Sequence, residues 1–301
     1  MSTTGPAHVR TELAHAKINL VLRILAREAG GYHGIETLFQ RLTLHDVVQV
    51  AVGDGGRTLT CHGPSMPDGG LGPIEKNLAW RAADAYCAAA GWRTNWQIDI
   101  EKHIPVGGGL GGGSADAAAV LRALEGLCPT PLGMPRLLEI AGTLGADVPF
   151  LVSGHALAWG WGRGDRLLPL PALPPMALSL VTFREGVNTG AAYGAFATAR
   201  EQRHENVRAF AYGAGAFGSW ASVADCAVND FEQVVTAMHS GVAQVLPLVQ
   251  HAAATLRALG HPAVGLMSGS GATCFVLHPI GTACPLDVPD GARVVETTTA
   301  P

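Results

Sequence analysis

Residues 104–118 read IPVGGGLGGGSADAA, with seven residues from Gly107 to Gly113 of which six are glycine. The alternating stretch Asn95–Glu101 (NWQIDIE) lies just before this run and reads as a strand. Residues 114–127 (SADAAAVLRALEGL) lie just after it and read as a helix. Ser114 is expected to be the N-cap, Asp116 to sit in a first turn that favours negative charge, and Gly126 to end the helix. A glycine loop between strand and helix offers a row of backbone N–H groups with no side chains in the way. The start of the following helix adds partial positive charge on the same side. Together they predict a phosphate cradle, to which Ser114 could add a hydroxyl for a phosphate or metal oxygen. Two other readings compete. A flexible linker suits the glycines but not the tight flanking by strand and helix. A dinucleotide fold suits Gly107, Gly109 and Gly112, which match GxGxxG, but it needs a following strand with an acidic residue about twenty positions on. Here the next segment, from Pro135, reads as a helix with Leu137, Leu138, Ile140 and Ala141 as its apolar stripe, stopped by Gly145. A Walker A loop is excluded, because no Gly-Lys-Ser/Thr follows.

Working outward, His15–Leu22 (HAKINLVL) reads as a strand. Alternation puts His15, Lys17 and Asn19 on one face and Ala16, Ile18 and Leu20 on the other. A lysine beside an asparagine suits an anion, and it also suits an exposed strand face. Arg27–His33 reads as a turn, Asp46–Val52 and Arg57–Cys61 as strands, and Asn77–Ala90 as a helix ended by Gly91. Leu167–Pro175 holds four prolines and suits a domain junction. Met176–Phe183 reads as a strand. Phe231–His239 and Val242–Leu259 read as helices with a break near Gly241. Val264–Leu277 reads as two strands around the turn Ser268-Gly269-Ser270-Gly271.

Length and composition limit the function. A chain of 301 residues suggests about two domains. Lys plus Arg total 20 and Asp plus Glu total 24, so the net charge is 20 − 24 = −4. That weak field argues against a nucleic-acid binder, which usually carries a basic face, and leaves room for a local basic pocket. Apolar residues make up 48% of the chain, enough for a buried core and against disorder. The six cysteines show no Cys-x-x-Cys spacing and the histidines no HExxH, so no protein-built metal site is expected. The uncharged run Ala258–Leu286 is too rich in glycine and proline for a membrane helix. The first residues lack the apolar core of a signal peptide. A soluble cytoplasmic protein is expected, with no membrane, nucleic acid or obligate protein partner.

Five blocks in order resemble the GHMP kinase superfamily: AKINLVL at 16–22, GGYHGIETLFQ at 30–40, PVGGGLGGGSADAA at 105–118, GADVPF at 145–150 and SGSGAT at 268–273. Within it the chain is similar to the branch that phosphorylates a cytidine-diphosphate-linked methylerythritol in the non-mevalonate route to isoprenoid precursors. The resemblance implies an α+β two-domain GHMP kinase fold with the active site in the interdomain cleft. It implies an N-terminal domain over residues 1–162 and a C-terminal domain over 163–301. ATP is the implied phosphoryl donor, with Mg²⁺, and the partner is the small cytidine-linked polyol.

Residue by residue, Lys17 and Asp147 match the family's catalytic pair. Gly107, Gly108, Gly109, Leu110, Gly111, Gly112, Gly113 and Ser114 match its ATP phosphate loop, with Asn77 and Lys102 near the nucleotide. Asn19, Tyr32, His33, Thr189, Tyr193, Gly269, Ser270 and Gly271 match the substrate side, the two tyrosines flanking the base and His33 reading its edge. Gly30 stands where the family often has an aspartate, which bears on that loop's conformation. Pro149 is expected to hold Val148 extended, setting how the chain leaves the Asp147 turn. Other GHMP kinases, acting on mevalonate, homoserine or a sugar, remain the nearest competitors, and Tyr32 with His33 discriminates them. A nucleotide sensor without catalysis and a Rossmann oxidoreductase are competitors from other classes.

Overall fold

The computed structural model describes residues 8–27, 33–203, 212–213 and 215–301. Tyr32 and the glycines before it therefore lie outside the described residues. The strands, in chain order, are β1 His8–Arg27, β2 His33–Gly53, β3 Thr58–His62, β4 Asn95–Glu101, β5 Leu157–Gly162, β6 Arg166–Leu170, β7 Met176–Thr182, β8 Val228–Asn229, β9 Val264–Met267, β10 Cys274–Pro279 and β11 Arg293–Thr298. The helices are α1 Leu78–Ala89, α2 Gly112–Leu127, α3 Met134–Leu144, α4 Val148–Ser153, α5 Thr189–Arg203, α6 Trp220–Cys226, α7 Glu232–Met238 and α8 Ser240–Ala258. The α+β expectation holds.

The chain forms two compact units, neither a single run of sequence. The first comprises residues through Ala16, Leu44–Val106 and Gly111–His155. The second comprises Lys17–Thr43, Gly107–Leu110 and Ala156–Pro301. Strands β1 and β2 pass from one unit into the other, as does the glycine loop between Leu110 and Gly111.

In the first unit the end of β2 pairs antiparallel with β4, from Val47↔Glu101 to Gly53↔Asn95, and β3 runs parallel to β4. Helix α1 packs on α2, and α2 and α3 pack on α4. The α1–α2 seam is built from alanines: Ala79, Ala82, Ala83, Ala115, Ala118 and Ala119 are all buried. Alanine is the best helix former and lets backbones approach closely. Asn77 caps α1, its side chain accepting from Ala79 N at 2.9 Å.

In the second unit β8 runs parallel to β1, and β5 pairs antiparallel with the first part of β2 and with β6. A second sheet has the order β11-β7-β10-β9 and is antiparallel throughout. Helix α8 covers β9 and β10. Val242, Val245, Val249, Ala252 and Leu256 of α8 form a core with Val276, Cys274 and Met267. Their spacing is the apolar stripe of a surface helix. The break between α7 and α8 falls at His239, whose Nδ1 accepts from Val242 N, rather than at Gly241. Among the described residues no helix is long and apolar enough to cross a membrane.

Three local expectations are corrected. Helix α2 starts at Gly112 with Gly111 as cap, so Ser114 is an interior first-turn residue rather than the N-cap. Asp116 lies beyond the first turn of α2, buried and bonded to Lys102, rather than in the first turn. Val148 is the first helical residue of α4 rather than extended. Pro149 occupies the first turn, where its missing N–H costs nothing, and this outweighs the usual bias on the preceding residue.

Candidate active site

The first part of the glycine loop, Gly107–Leu110, is held by the second unit. Gly108 O accepts from Thr273 N at 3.1 Å, Gly109 O from Ser268 Oγ at 3.0 Å, and Leu110 O from Lys17 N at 3.0 Å. Three successive carbonyls are thus committed to protein donors. The φ angles at Gly107, Gly109 and Gly111 are 77°, 76° and 73°. A left-handed residue at every second position makes successive N–H groups converge into a nest for an anion. Gly109 has a second constraint: a Cβ there would stand 2.1 Å from Ser268 O.

Lys17 and Asn19 share one face of β1, as alternation requires. Both are nearly inaccessible, 3% and 2% exposed, which rules out a solvated strand face. Lys17 Nζ donates to Asn19 Oδ1 at 2.7 Å, Asn19 Nδ2 to Thr37 Oγ1 at 2.7 Å, and Thr37 Oγ1 to Val21 O at 2.8 Å. Thr37, on β2, was not singled out in the sequence. The relay fixes the ammonium by orienting the amide that accepts from it. Gly269, at φ 57°, lies against that ammonium: a Cβ there would stand 3.3 Å from Lys17 Nζ and 3.1 Å from Gly109 O. The second unit therefore brings together Lys17, Asn19, Gly107–Leu110 and the SGSG turn.

The same unit joins the residues matched to the base. The His33 and Tyr193 rings stack with centroids 5.2 Å apart and an interplanar angle of 16°. Thr189 Oγ1 and Ser270 Oγ are hydrogen-bonded at 2.9 Å, linking the start of α5 to the SGSG turn. Gly271 N donates to Ser268 O at 3.0 Å and closes that turn.

The first unit carries the second part of the loop. The first helical bond of α2 runs from Ala115 N to Gly111 O at 2.8 Å, so the N–H groups of Gly112, Gly113 and Ser114 have no partner within the helix. Asp147 holds the cap position of α4 and is partly buried. Ser114 belongs to the same neighbourhood, its Oγ 3.9 Å from where a Gly145 Cβ would stand. Lys102 is 2% exposed. Its ammonium donates to Asp46 Oδ2 and, at 2.6 Å, to Asp116 Oδ2. Asp46 Oδ1 also accepts from His103 N and Ile104 N, the residues that open the glycine segment. Burial alone would lower the Lys102 pKa, and the two carboxylates more than reverse it. Burial pushes the Asp116 carboxyl up to about 7, Lys102 opposes this and Asp46 adds to it. Asp46 and Asp116 carry no sequence signal of their own, because a pairing between residues 46, 102 and 116 follows no local period.

Comparison with known proteins gives the family and the fold. Residues 77–155 match the pattern of the GHMP kinases N terminal domain. The chain is 40% identical over 271 residues to the 4-diphosphocytidyl-2-C-methyl-D-erythritol kinase of Pelotomaculum thermopropionicum, covering 89% of each. Among solved structures it resembles a 4-(cytidine 5'-diphospho)-2C-methyl-D-erythritol kinase at 33% identity and a TM-score of 0.67, over 97% of this chain and 100% of that one. It also resembles the mevalonate kinase of L. major in complex with R-mevalonate, with a TM-score of 0.67 over 100% of this chain and 99% of that one. At 11% identity that likeness is one of fold alone. An identity of 40% spread over nine-tenths of both sequences is a family relationship, and the chain belongs to the 4-diphosphocytidyl-2-C-methyl-D-erythritol kinase family of GHMP kinases.

Proposed function

We propose that the chain transfers the γ-phosphoryl group of ATP to a hydroxyl of 4-diphosphocytidyl-2-C-methyl-D-erythritol, giving the 2-phosphate and ADP, in the non-mevalonate route to isoprenoid precursors. One observation carries the reading at the level of the site: a buried lysine ammonium, fixed by Asn19, lies against Gly269 of the SGSG turn, and the Lys17 backbone N–H bonds the loop whose alternate left-handed glycines form an anion nest. Gly107–Ser114 take the ATP phosphates, and Asn77 and Lys102 belong to the nucleotide side. Lys17 stabilises charge on the transferring phosphoryl group, where positioning and electrostatics supply most of the catalysis. Asp147 orients the acceptor hydroxyl and takes its proton. Asn19, Thr189 and Gly269–Gly271 bear on the substrate. Tyr32, His33 and Tyr193 read the cytosine, and a site built to hydrogen-bond a base rejects acceptors that lack one. The functional division at residues 162 and 163, and a cytoplasmic location, belong to the same reading.

Among the described residues no cluster of three or more His, Cys, Asp or Glu could hold a metal ion. Mg²⁺ delivered on the triphosphate keeps several waters and needs only one or two hard oxygens from the protein. Ser114 Oγ, in the first turn of α2, is the oxygen suited to it. When bound, the ion neutralises charge on the β- and γ-phosphates.

The test is ADP release from MgATP with diphosphocytidyl-methylerythritol, mevalonate, homoserine and galactose as acceptors. Turnover is expected with the cytidine compound only, and Asp147→Asn should lose on the order of 100-fold or more in kcat. Turnover with another acceptor instead would overturn the base-reading role of Tyr32 and His33.

A further inference from the structure

Four consecutive residues outside the matched blocks, Asn229-Asp230-Phe231-Glu232, each hold a different part of the site in the second unit. Asn229 ends β8 and is 3% exposed. Its amide is fully used. Nδ2 donates to Met267 O at 2.7 Å and to Gly269 O at 2.8 Å, and Oδ1 accepts from Phe231 N at 2.9 Å. Asp230 Oδ2 accepts from Ile24 N on β1 at 2.8 Å. The Phe231 ring meets Tyr193 edge to face, with centroids 4.8 Å apart and planes at 82°. Glu232 Oε1 accepts from Met267 N at 2.9 Å. The turn thus grips the strand that carries Lys17, the ring that stacks on His33, and both backbone polar groups of Met267, the residue that leads into the SGSG turn.

We infer that Asn229 is a positioning residue for phosphoryl transfer, acting through the Gly269–Ser270 peptide. This rests on the proposed reading of Lys17 and the SGSG turn. In a trans peptide the carbonyl and the N–H point to opposite sides. Holding Gly269 O against the buried Asn229 amide turns the Ser270 N–H the other way, as a fixed donor. The same bond sets the distance between Gly269 and the Lys17 ammonium. A buried amide with every donor and acceptor satisfied specifies one geometry, and replacing its NH₂ by an acceptor sets it against two carbonyl oxygens. Asn229 touches no reacting atom in this scheme; what it fixes is a donor and an ammonium that act on the transferring group, so its loss shows chiefly in kcat.

The experiment compares Asn229→Ala, Asn229→Asp and Asn229→Ser with Lys17→Ala and with Val249→Ala, which opens a cavity in the same core without touching the Asn229 hydrogen bonds. All are assayed in the intact chain at a temperature where melting curves show them folded. Asn229→Ala and Asn229→Asp are expected to lower kcat on the order of 10- to 100-fold, the cost of a displaced reacting group. KM for ATP and for the acceptor should stay within about threefold, the signature of an interaction made only in the transition state. Asn229→Ser, which keeps one donor, should recover part of the loss, and Val249→Ala should melt earlier with kcat unchanged. If Lys17→Ala abolishes turnover while the Asn229 variants keep kcat within about threefold, the inference fails and the site reading stands. If Lys17→Ala is itself active, the site reading fails and takes the inference with it. A loss no greater than that of Val249→Ala, or failure of all three Asn229 variants to fold, makes Asn229 a core residue and overturns its positioning role.

Discussion

Asp46, Lys102 and Asp116 set two carboxylates around one ammonium with almost no solvent, and the arrangement decides what each substitution does. Asp46 is saturated, accepting from the ammonium and from two backbone N–H groups. Asp116 Oδ1 is buried without a hydrogen-bond partner among the described residues. Two buried negative charges against one positive are costly, so the cluster is best balanced when Asp116 carries a proton, the direction in which burial pushes it. Removing the cation leaves the two acids facing each other. Lys102→Met should therefore destabilise the protein by about 3–5 kcal/mol, the cost of breaking a buried ion pair from one side. Urea melts would check this, and a loss below about 1 kcal/mol, the scale of a surface pair, would mean the cluster is far better solvated than its burial implies.

At the scale of elements, the glycine loop is constrained by close approach as much as by conformation. Gly109 combines a φ of 76° with a carbonyl 2.1 Å from its absent Cβ, whereas Gly91, at φ 59°, has open space around it. Gly91→Ala should cost about 1 kcal/mol and leave the kinetics unchanged. Gly109→Ala must displace the SGSG turn, and its kcat/KM for ATP should fall on the order of tenfold or more, a consequence of misplaced phosphate donors. Equal kinetics for the two variants would refute the close-approach argument. The loop, its flanking strand and helix, and the Lys17–Asn19 face were legible because each is written in a local period. Other elements were not. β1 runs His8–Arg27 where alternation marked only His15–Leu22, because its first residues, His8–Leu13, are mostly exposed and polar and carry no apolar alternation. The hairpin β5–β6 was hidden by glycines that usually signal a turn. Gly160 stands in β5 because a Cβ would meet the Phe39 ring at 2.8 Å. The pairings made by Thr37, Asp46, Asp116 and Asn229 were not legible for a common reason: they join distant segments, and spacing along one segment does not encode them.

Across the whole molecule, each unit keeps one acid with its pKa well above the ordinary carboxylate range, Asp116 buried and Glu232 half-buried, and stability should follow pH accordingly. Burial pushes Glu232 up to about 7 against the single backbone bond from Met267, as it does Asp116 to about 7 in the other unit. For both groups the folded chain binds the proton more tightly than the unfolded chain. Their contribution is fully present below the unfolded values of 3.8 and 4.5 and is lost as pH rises through about 7. Glu125 is shifted the other way, lowered despite partial burial by bonds from Tyr86, Gly133 and Leu132. Its contribution is complete once the unfolded group has ionised, so it does not oppose the other two above pH 5. The double variant Asp116→Asn, Glu232→Gln removes both titrations while keeping the side-chain shapes. Its melting temperature relative to the parent chain should therefore rise steadily from pH 5 to pH 8, even if the amides cost some stability at every pH. Parallel curves for variant and parent would mean that both carboxyls ionise as readily in the folded chain as in the unfolded one, and that neither is as dry as its packing indicates.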